Sequence, residues 1–173
     1  MNFSIQRIIR AAIAPKHRIS CSISLWRTGL QELRKRGGGC RESGAFLLGT
    51  RYKNRCQVNS FIFYDDLEPG CLDSGIVIFS GQGYGRLWEI CRERNLEVIA
   101  DVHTHPDVAI QSRIDRANPM IAIQGHIAII IPTYADELSS AEKVGIYEYK
   151  GAHQWRDFSG RKGKGFLYIG LWG

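Results

Sequence analysis

The alternation of apolar and polar positions predicts short strands separated by two longer helices. Residues 17–24 (HRISCSIS) alternate with the two-residue period of a strand. Residues 25–36 place leucines at helical spacing, and three glycines at 37–39 end that helix. Residues 85–95 (GRLWEICRERN) predict a second amphipathic helix. The hydrophobic pattern therefore changes from the strand period to the helix period at least twice.

Further strands outnumber these helices. A short third helix is predicted over residues 112–122, with Ser112 as its N-cap. The pattern favours a single α/β or α+β domain over residues 1–173, with a central mixed sheet flanked by helices and residues 1–16 as an extension. The remaining strands are predicted at residues 42–52, 56–65, 76–80, 96–105, 126–132, 144–151 and 153–158.

Charge and cysteine content narrow the functional classes. The net charge is +6, but the basic residues are spread from Arg7 to Lys164, which favours solvated surface over a nucleic-acid interface. No apolar run approaches the ~20 residues of a membrane span, and no secretory signal is evident. Five widely spaced cysteines without a CxxC pair indicate a reduced, cytoplasmic chain without a thiolate zinc site.

The stretch DVHTHPDVAIQSRIDRANP, residues 101–119, carries the candidate chemistry. Alternate side chains of a strand share a face, so His103 and His105 are expected to point the same way. Asp115 follows after a turn and is the natural third ligand, while Ser112 precedes it by one helical turn. Two histidines and one carboxylate with an open fourth position are typical of a catalytic zinc site.

Each of these residues also has a simpler interpretation. Ser112 alone predicts only a helix cap. Asp101 is either a carboxylate that orients a ligand histidine or a solvated strand residue. His126, before an apolar strand, is interpreted as structural. SGQGYG, residues 80–85, lacks the full GxGxxG pattern and the downstream acid of a nucleotide-binding loop, and is interpreted as a flexible connection into a helix.

The combined pattern resembles the JAB/MPN domain with its JAMM metalloprotease motif. HTHP is followed by Ser-x-x-Asp, and Glu42 in RESGAFLLG matches the family's upstream glutamate before an apolar strand. The resemblance covers roughly residues 38–150 in the family's order of elements. One departure is that the segment from His105 to Ser112 is one residue shorter than the family's usual spacing, although Ser-x-x-Asp keeps its own spacing.

The resemblance implies a cytidine-deaminase-like arrangement of the sheet and a role for each matched residue. His103, His105 and Asp115 look like the ligands of one Zn²⁺ per chain. Glu42 looks like the general acid/base that activates water. Ser112 looks like the hydroxyl that stabilises the oxyanion.

The resemblance also implies a zinc metallopeptidase that cleaves an amide bond at a protein C-terminus. The expected substrate is a ubiquitin-like or nucleotidyltransferase-type protein joined to a target lysine, as for small stand-alone JAB proteins of antiphage (CBASS-type) operons. Its tail is expected to bind as an extended strand, in a groove formed by residues 65–86. Three alternatives stay open: a non-catalytic MPN-type scaffold, a nucleic-acid-associated protein like the DNA-repair proteins that carry a related domain, and a hydrolase of small sulfur-carrier or cysteine conjugates.

Overall fold

Eight strands form one mixed sheet in the computed structural model, which describes residues 17–137 and 139–171. The order of the strands across the sheet is β7-β6-β5-β4-β2-β3-β1-β8. The strands are β1 (Ile19–Ser22), β2 (Gly44–Tyr52), β3 (Arg55–Phe63), β4 (Glu97–Thr104), β5 (Ile127–Ile131), β6 (Gly145–Gly151), β7 (Gln154–Asp157) and β8 (Leu167–Gly170). The helices are α1 (Ile23–Arg36), α2 (Tyr64–Leu67), α3 (Tyr84–Arg94) and α4 (Arg113–Ala117), with 3₁₀ turns at Thr133–Ala135 and Gly160–Gly165.

Strand β4 lies at the centre and pairs differently on its two sides. It runs antiparallel to β2, with Gly44 opposite His103, and parallel to β5, with His103 opposite Ile130. The start of β2 and the ends of β4 and β5 therefore meet at one edge of the sheet. Glu42, which precedes β2, is brought to the same edge as the histidines.

Helices cover both faces of the sheet, and β2 is buried on both sides. Ala45 and Leu47 point into the core that contains α1. Phe46 and Leu48 point into the core that contains α3. This two-sided burial explains why β2 is a nearly continuous apolar run. The predicted apolar side of α3 is buried, through Leu87, Ile90 and Cys91.

The predicted mixed α+β architecture with flanking helices is confirmed. Helix α1 begins two residues earlier than the leucine pattern indicates, because the Ser22 side chain accepts a hydrogen bond from the Leu25 amide and caps it there. At its other end, the Gly37 amide donates to the carbonyl of Leu33. The three glycines therefore end the helix where the sequence predicts.

The prediction of a buried strand at residues 76–80 is wrong. This segment is extended but lies outside the sheet, and its backbone contacts a loop instead, with the Ile78 amide donating to the Cys71 carbonyl over 2.8 Å. Ile76 and Ile78 are 43% and 55% exposed, whereas Val77 and Phe79 pack against the core beside α3. One face of an apolar segment can be buried without any strand pairing, and hydrophobicity alone does not reveal the difference.

Strand β8 was not predicted. It pairs in parallel with β1, where Ile19 lies opposite Leu167, and is an edge strand of the sheet. The glycine- and lysine-rich segment before it obscured the short apolar run that forms the strand.

The remaining sequence expectations concern membranes and thiols. Within residues 17–137 and 139–171, no helix is long and apolar enough to cross a membrane. All five cysteines are free; Cys40 is exposed and the other four are buried. The proposed extension at residues 1–16 lies outside the described residues.

Truncation of a buried side chain in β5 tests the core. Ile129 of β5 is fully buried, so Ile129→Ala is expected to lower the free energy of unfolding by about 2–5 kcal/mol through lost burial and a residual cavity. Ile123→Ala, at a side chain that is 66% exposed, is the control and should change it by less than about 0.5 kcal/mol. Urea unfolding followed by circular dichroism measures both. Equal effects of the two substitutions would contradict the placement of β5 in the core.

Candidate metal centre

Three side chains with metal-binding atoms converge at the carboxyl end of β4. Nε2 of His103 lies 3.0 Å from Nε2 of His105. The Asp115 carboxylate approaches both, with Oδ2 at 3.2 Å from Nε2 of His105 and Oδ1 at 3.7 Å from Nε2 of His103. Within the described part of the chain, these three residues form a cluster whose donor atoms all lie within 4.8 Å of one another.

The spacing of these donor atoms fits a zinc ion. Two ligand atoms held tetrahedrally at about 2.0–2.1 Å from zinc lie roughly 3.3 Å apart. The three observed separations of 3.0, 3.2 and 3.7 Å lie within a few tenths of an ångström of that value. Imidazole and carboxylate are also the ligand types of open, catalytic zinc sites.

Strand alternation places the two histidines on one side, as predicted. Thr104 between them is fully buried on the opposite side, where its hydroxyl oxygen accepts a hydrogen bond from the Ser43 amide over 2.9 Å. The His105 amide donates to the Ile131 carbonyl of the neighbouring strand over 2.8 Å. This bond carries the alternation one residue past the end of β4.

A capping box fixes the third ligand candidate. The Ser112 side chain accepts from the Asp115 amide over 3.1 Å, and the Asp115 carboxylate accepts from the Ser112 amide over 2.7 Å. The predicted N-cap at Ser112 is therefore confirmed. Although the segment before Ser112 is one residue shorter, Asp115 still reaches the histidines. The two hydrogen bonds between Ser112 and Asp115 keep these residues in a fixed relative position.

Glu42 lies beside the cluster but outside it. Its Oε1 is 4.0 Å from Nε2 of His105, and its Oε2 accepts a hydrogen bond from the Val77 amide over 3.2 Å. Its own amide donates to the Gly75 carbonyl over 3.0 Å. The extended segment that follows Gly75 thus anchors one carboxylate oxygen and leaves the other facing the histidines.

Mutual electrostatics hold the cluster together. Burial acts to lower the pKa of His103, but Asp101 and Asp115 outweigh it and raise this pKa to about 10. Burial acts to raise the pKa of Asp115, but His103 and His105 hold it far below its usual range. In this ionisation state a metal that binds Nε2 of His103 has to displace a proton.

Asp101 is buried rather than solvated. It is 1% exposed, and its Oδ1 lies 2.6 Å from Nε2 of His126. The Tyr64 hydroxyl donates to its Oδ2 over 3.4 Å. Sequence reasoning proposed His126 only as structural and did not consider Tyr64. The signal for His126 is its place just before β5, which pairs with β4; Tyr64 arrives through tertiary packing and had no such signal.

A cleft of about 390 Å³ opens beside Glu42, His103 and Asp115. Residues 76–79 line it, which lies within the region 65–86 where the groove was expected. Gln111 also lines it; this side chain is 7% exposed, and neither its amide nitrogen nor its oxygen has a hydrogen-bond partner among the described residues. Sequence reasoning missed Gln111, because the residue type alone does not predict that its carboxamide is buried beside the cleft.

The glycine-containing turn before α3 does not resemble a phosphate-binding loop in its contacts. The backbone amides of Ser80, Gly81 and Gly83 all donate to the Glu68 carboxylate, over 2.7, 3.3 and 3.4 Å. Because a carboxylate already takes these donors, the turn acts as a connection into α3.

Comparison with solved structures finds a protein of similar fold, whereas comparison with family models finds no match. The structure is similar to that of protein DSY2949 from Desulfitobacterium hafniense, with 15% identity, a TM-score of 0.59, and coverage of 87% of this chain and 92% of that chain. At this identity the likeness concerns the fold alone.

Two further solved structures have lower scores. A protein from Salinibacter ruber is 18% identical with a TM-score of 0.49, covering 75% of this chain and 84% of that chain. AF2198, a JAB1/MPN domain protein from Archaeoglobus fulgidus, is 18% identical with a TM-score of 0.47, covering 91% of this chain and 98% of that chain.

Removal of one ligand candidate tests the metal centre. Wild-type protein reconstituted with zinc and dialysed is expected to retain about one zinc per chain, and His105→Ala to lose most of it, because two donors remain where three are needed. Mass spectrometric metal analysis measures the content. His153→Asn is the control, since this exposed histidine lies outside the cluster and asparagine tolerates its φ of 56°. Equal zinc in wild type and His105→Ala would contradict the site.

Proposed function

We propose that the protein is a zinc-dependent peptidase or isopeptidase of the JAMM type. The observation that carries the proposal is the different placement of two carboxylates relative to the histidines. Asp115 lies among the histidine nitrogens, whereas Glu42 stands 4.0 Å from Nε2 of His105 with one oxygen anchored by a backbone amide. In a hydrolytic site with two histidine ligands and one carboxylate ligand, a second carboxylate outside the ligand set can act as the general base.

The chain's own residues supply the remaining steps. Zinc, when bound, would polarise the substrate carbonyl and lower the pKa of water to about 7. Oε1 of Glu42 is free to take the proton from the attacking water and to return it to the leaving amine. The Ser112 hydroxyl uses a lone pair to cap α4, so its proton remains available to donate to the developing oxyanion. The products are a carboxylate and a free amine.

The lining of the cleft supports an amide-containing substrate. The unpartnered Gln111 carboxamide offers one acceptor and two donor hydrogens, which complement the N–H and C=O of a peptide group. Burial of such a group without a partner costs about 1–3 kcal/mol, so pairing with a substrate is favourable. The extended segment 76–79 presents Ile76 and Ile78 outward, a surface suited to an extended apolar tail.

The proposed substrate is a ubiquitin-like or nucleotidyltransferase-type protein, joined through its C-terminal tail to a lysine of its target. This part of the proposal rests on the sequence resemblance to small bacterial JAB proteins of antiphage operons. The same resemblance, with the reduced cysteine pattern, supports a cytoplasmic protein that acts on proteins, and the scattered basic residues argue against a nucleic-acid partner.

One alternative has a specific observation in its favour. The cleft of about 390 Å³ falls in the size range of small-molecule sites, which suits a hydrolase of sulfur-carrier or cysteine conjugates. Cleavage of small amide conjugates with no cleavage of protein conjugates would favour this alternative. A pure scaffold, in contrast, has no need for a base placed beside a ligand set.

Glu42→Gln tests the base. The substitution keeps an oxygen for the Val77 amide but removes the proton acceptor, so zinc content should stay at the wild-type level while cleavage falls by about 10²–10⁴-fold. The assay is release of a fluorogenic lysine peptide joined to the C-terminus of ubiquitin, beside zinc analysis. Glu93→Gln on the exposed surface is the control. Loss of zinc would make Glu42 a ligand, and retained cleavage would refute its role as base.

Substitution of Ser112 separates capping from catalysis. Ser112→Ala should cost about 1 kcal/mol of stability and Ser112→Gly only a few tenths, because glycine is the better N-cap. Both remove the hydroxyl proton, so both should lower kcat by about 10²–10³-fold. The same fluorogenic assay and thermal unfolding measure the two effects. Wild-type kcat in Ser112→Gly would show that the hydroxyl serves only as a cap.

A further inference from the structure

We propose that Asp101 is a positioning residue. It holds His103 with its proton on Nδ1 and its Nε2 lone pair directed at the metal. His126 and Tyr64 in turn hold Asp101 in place. This inference rests on the metal-binding part of the proposed function and not on its substrate. Asp101 is two residues before His103 on β4 and lies on the same side of the strand.

The contacts of Asp101 divide between its two oxygens. Oδ1 is 2.6 Å from Nε2 of His126. Oδ2 accepts from the Tyr64 hydroxyl over 3.4 Å and lies 3.9 Å from Nδ1 of His103. The far side of the His103 ring carries Nε2, which is 3.0 Å from Nε2 of His105. The carboxylate and the candidate metal position are therefore at opposite ends of one imidazole.

The absence of a side chain at Gly44 leaves space for the Tyr64 ring beside the strand. Gly44 lies opposite His103 in the sheet, and a Cβ at Gly44 would come within 2.2 Å of the Tyr64 ring. Only glycine allows this ring to lie against the strand. The ring is fully buried and packs edge-on against Phe46, with centroids 4.9 Å apart, so its hydroxyl is held beside Asp101.

A buried carboxylate requires an explanation, and positioning supplies one. A buried charge without partners is strongly unfavourable, and among the described residues Asp101 has hydrogen-bond partners in His126 and Tyr64, with His103 close by. An imidazole binds a metal through one nitrogen and presents its proton on the other, and an acceptor at that second nitrogen fixes both the tautomer and the ring orientation. The structure places the Asp101 carboxylate on the Nδ1 side of the ring, at 3.9 Å, so this group is the one positioned to accept from Nδ1–H when Nε2 binds a metal.

The test is Asp101→Asn, which keeps the shape but replaces one oxygen with a donor. Loss of the acceptor at Nδ1 of His103 is expected to weaken zinc binding by about 10–100-fold, measured by competition with a chromophoric chelator. Long-range ¹H–¹⁵N correlation spectra of the zinc-loaded wild type should show His103 protonated on Nδ1. In the variant that proton signal should be lost or should exchange rapidly with water.

Thr104→Val is the matched control. It removes a buried polar contact from the adjacent position, on the other side of the strand, and should leave zinc affinity unchanged even where it lowers stability. Unchanged zinc affinity in a folded Asp101→Asn variant would overturn the inference. If that variant does not fold, the wild-type spectrum decides, since a zinc-bound Nδ1 or a proton on Nε2 of His103 would overturn it equally. Absence of zinc binding in the wild type would instead refute the metal centre itself.

Discussion

The position of β4 between an antiparallel and a parallel neighbour is the constraint on which the candidate site depends. Antiparallel pairing to β2 brings residue 42 to the end of β4, because the chain enters β2 where β4 terminates. Parallel pairing to β5 brings the carboxyl end of β5 to the same edge, and the Ile131 carbonyl there fixes the His105 backbone. Strand β4 is buried from Ile99 to Thr104, so a slip of one residue would turn the histidines to the side that Thr104 now occupies and Thr104 into the cleft. Strand register, which burial of apolar side chains enforces, thus also determines the geometry of the candidate metal centre.

The second constraint is that a buried ionisable side chain needs a neighbour that can carry the opposite charge. This explains why the acidic side chains and histidines of the site lie next to one another. His103, His105 and Asp101 are all less than 10% exposed, so each would be unfavourable alone. Each lies near a group that can carry the opposite charge. Burial alone would lower the pKa of His103 and raise that of Asp101, but these neighbours outweigh burial, so the pKa of His103 is raised and that of Asp101 is lowered. The contacts of Asp115 with both histidines therefore hold the donor atoms close to one another, which preorganises them for a metal.

The elements governed by local rules could be predicted from the sequence, and those governed by tertiary contacts could not. Alternation placed His103 and His105 together, and the capping box that fixes Asp115 follows from the Ser-x-x-Asp spacing. Residues 76–80 have the composition of a buried strand but bury only one face, against the core beside α3, and no local signal encodes the missing strand partner. The environment of Asp101 was equally hidden. Its partners come from the segment before β5 and from Tyr64 after β3, so their convergence requires knowledge of which strands are neighbours.

Environment, not residue type, separates the proposed roles of the two carboxylates nearest the histidines. Asp115 is tied to its own helix terminus and approaches His105 to 3.2 Å, so its freedom to move is small and its charge suits the candidate ligand set. Glu42 is tied instead to the extended segment, through the Gly75 carbonyl and the Val77 amide. That segment also lines the cleft, which means that one stretch of backbone both orients the proposed base and forms a wall of the cleft. A substrate tail that orders this segment would also fix the direction of Glu42, and binding energy distant from the scissile bond would then contribute to the alignment of the proton acceptor.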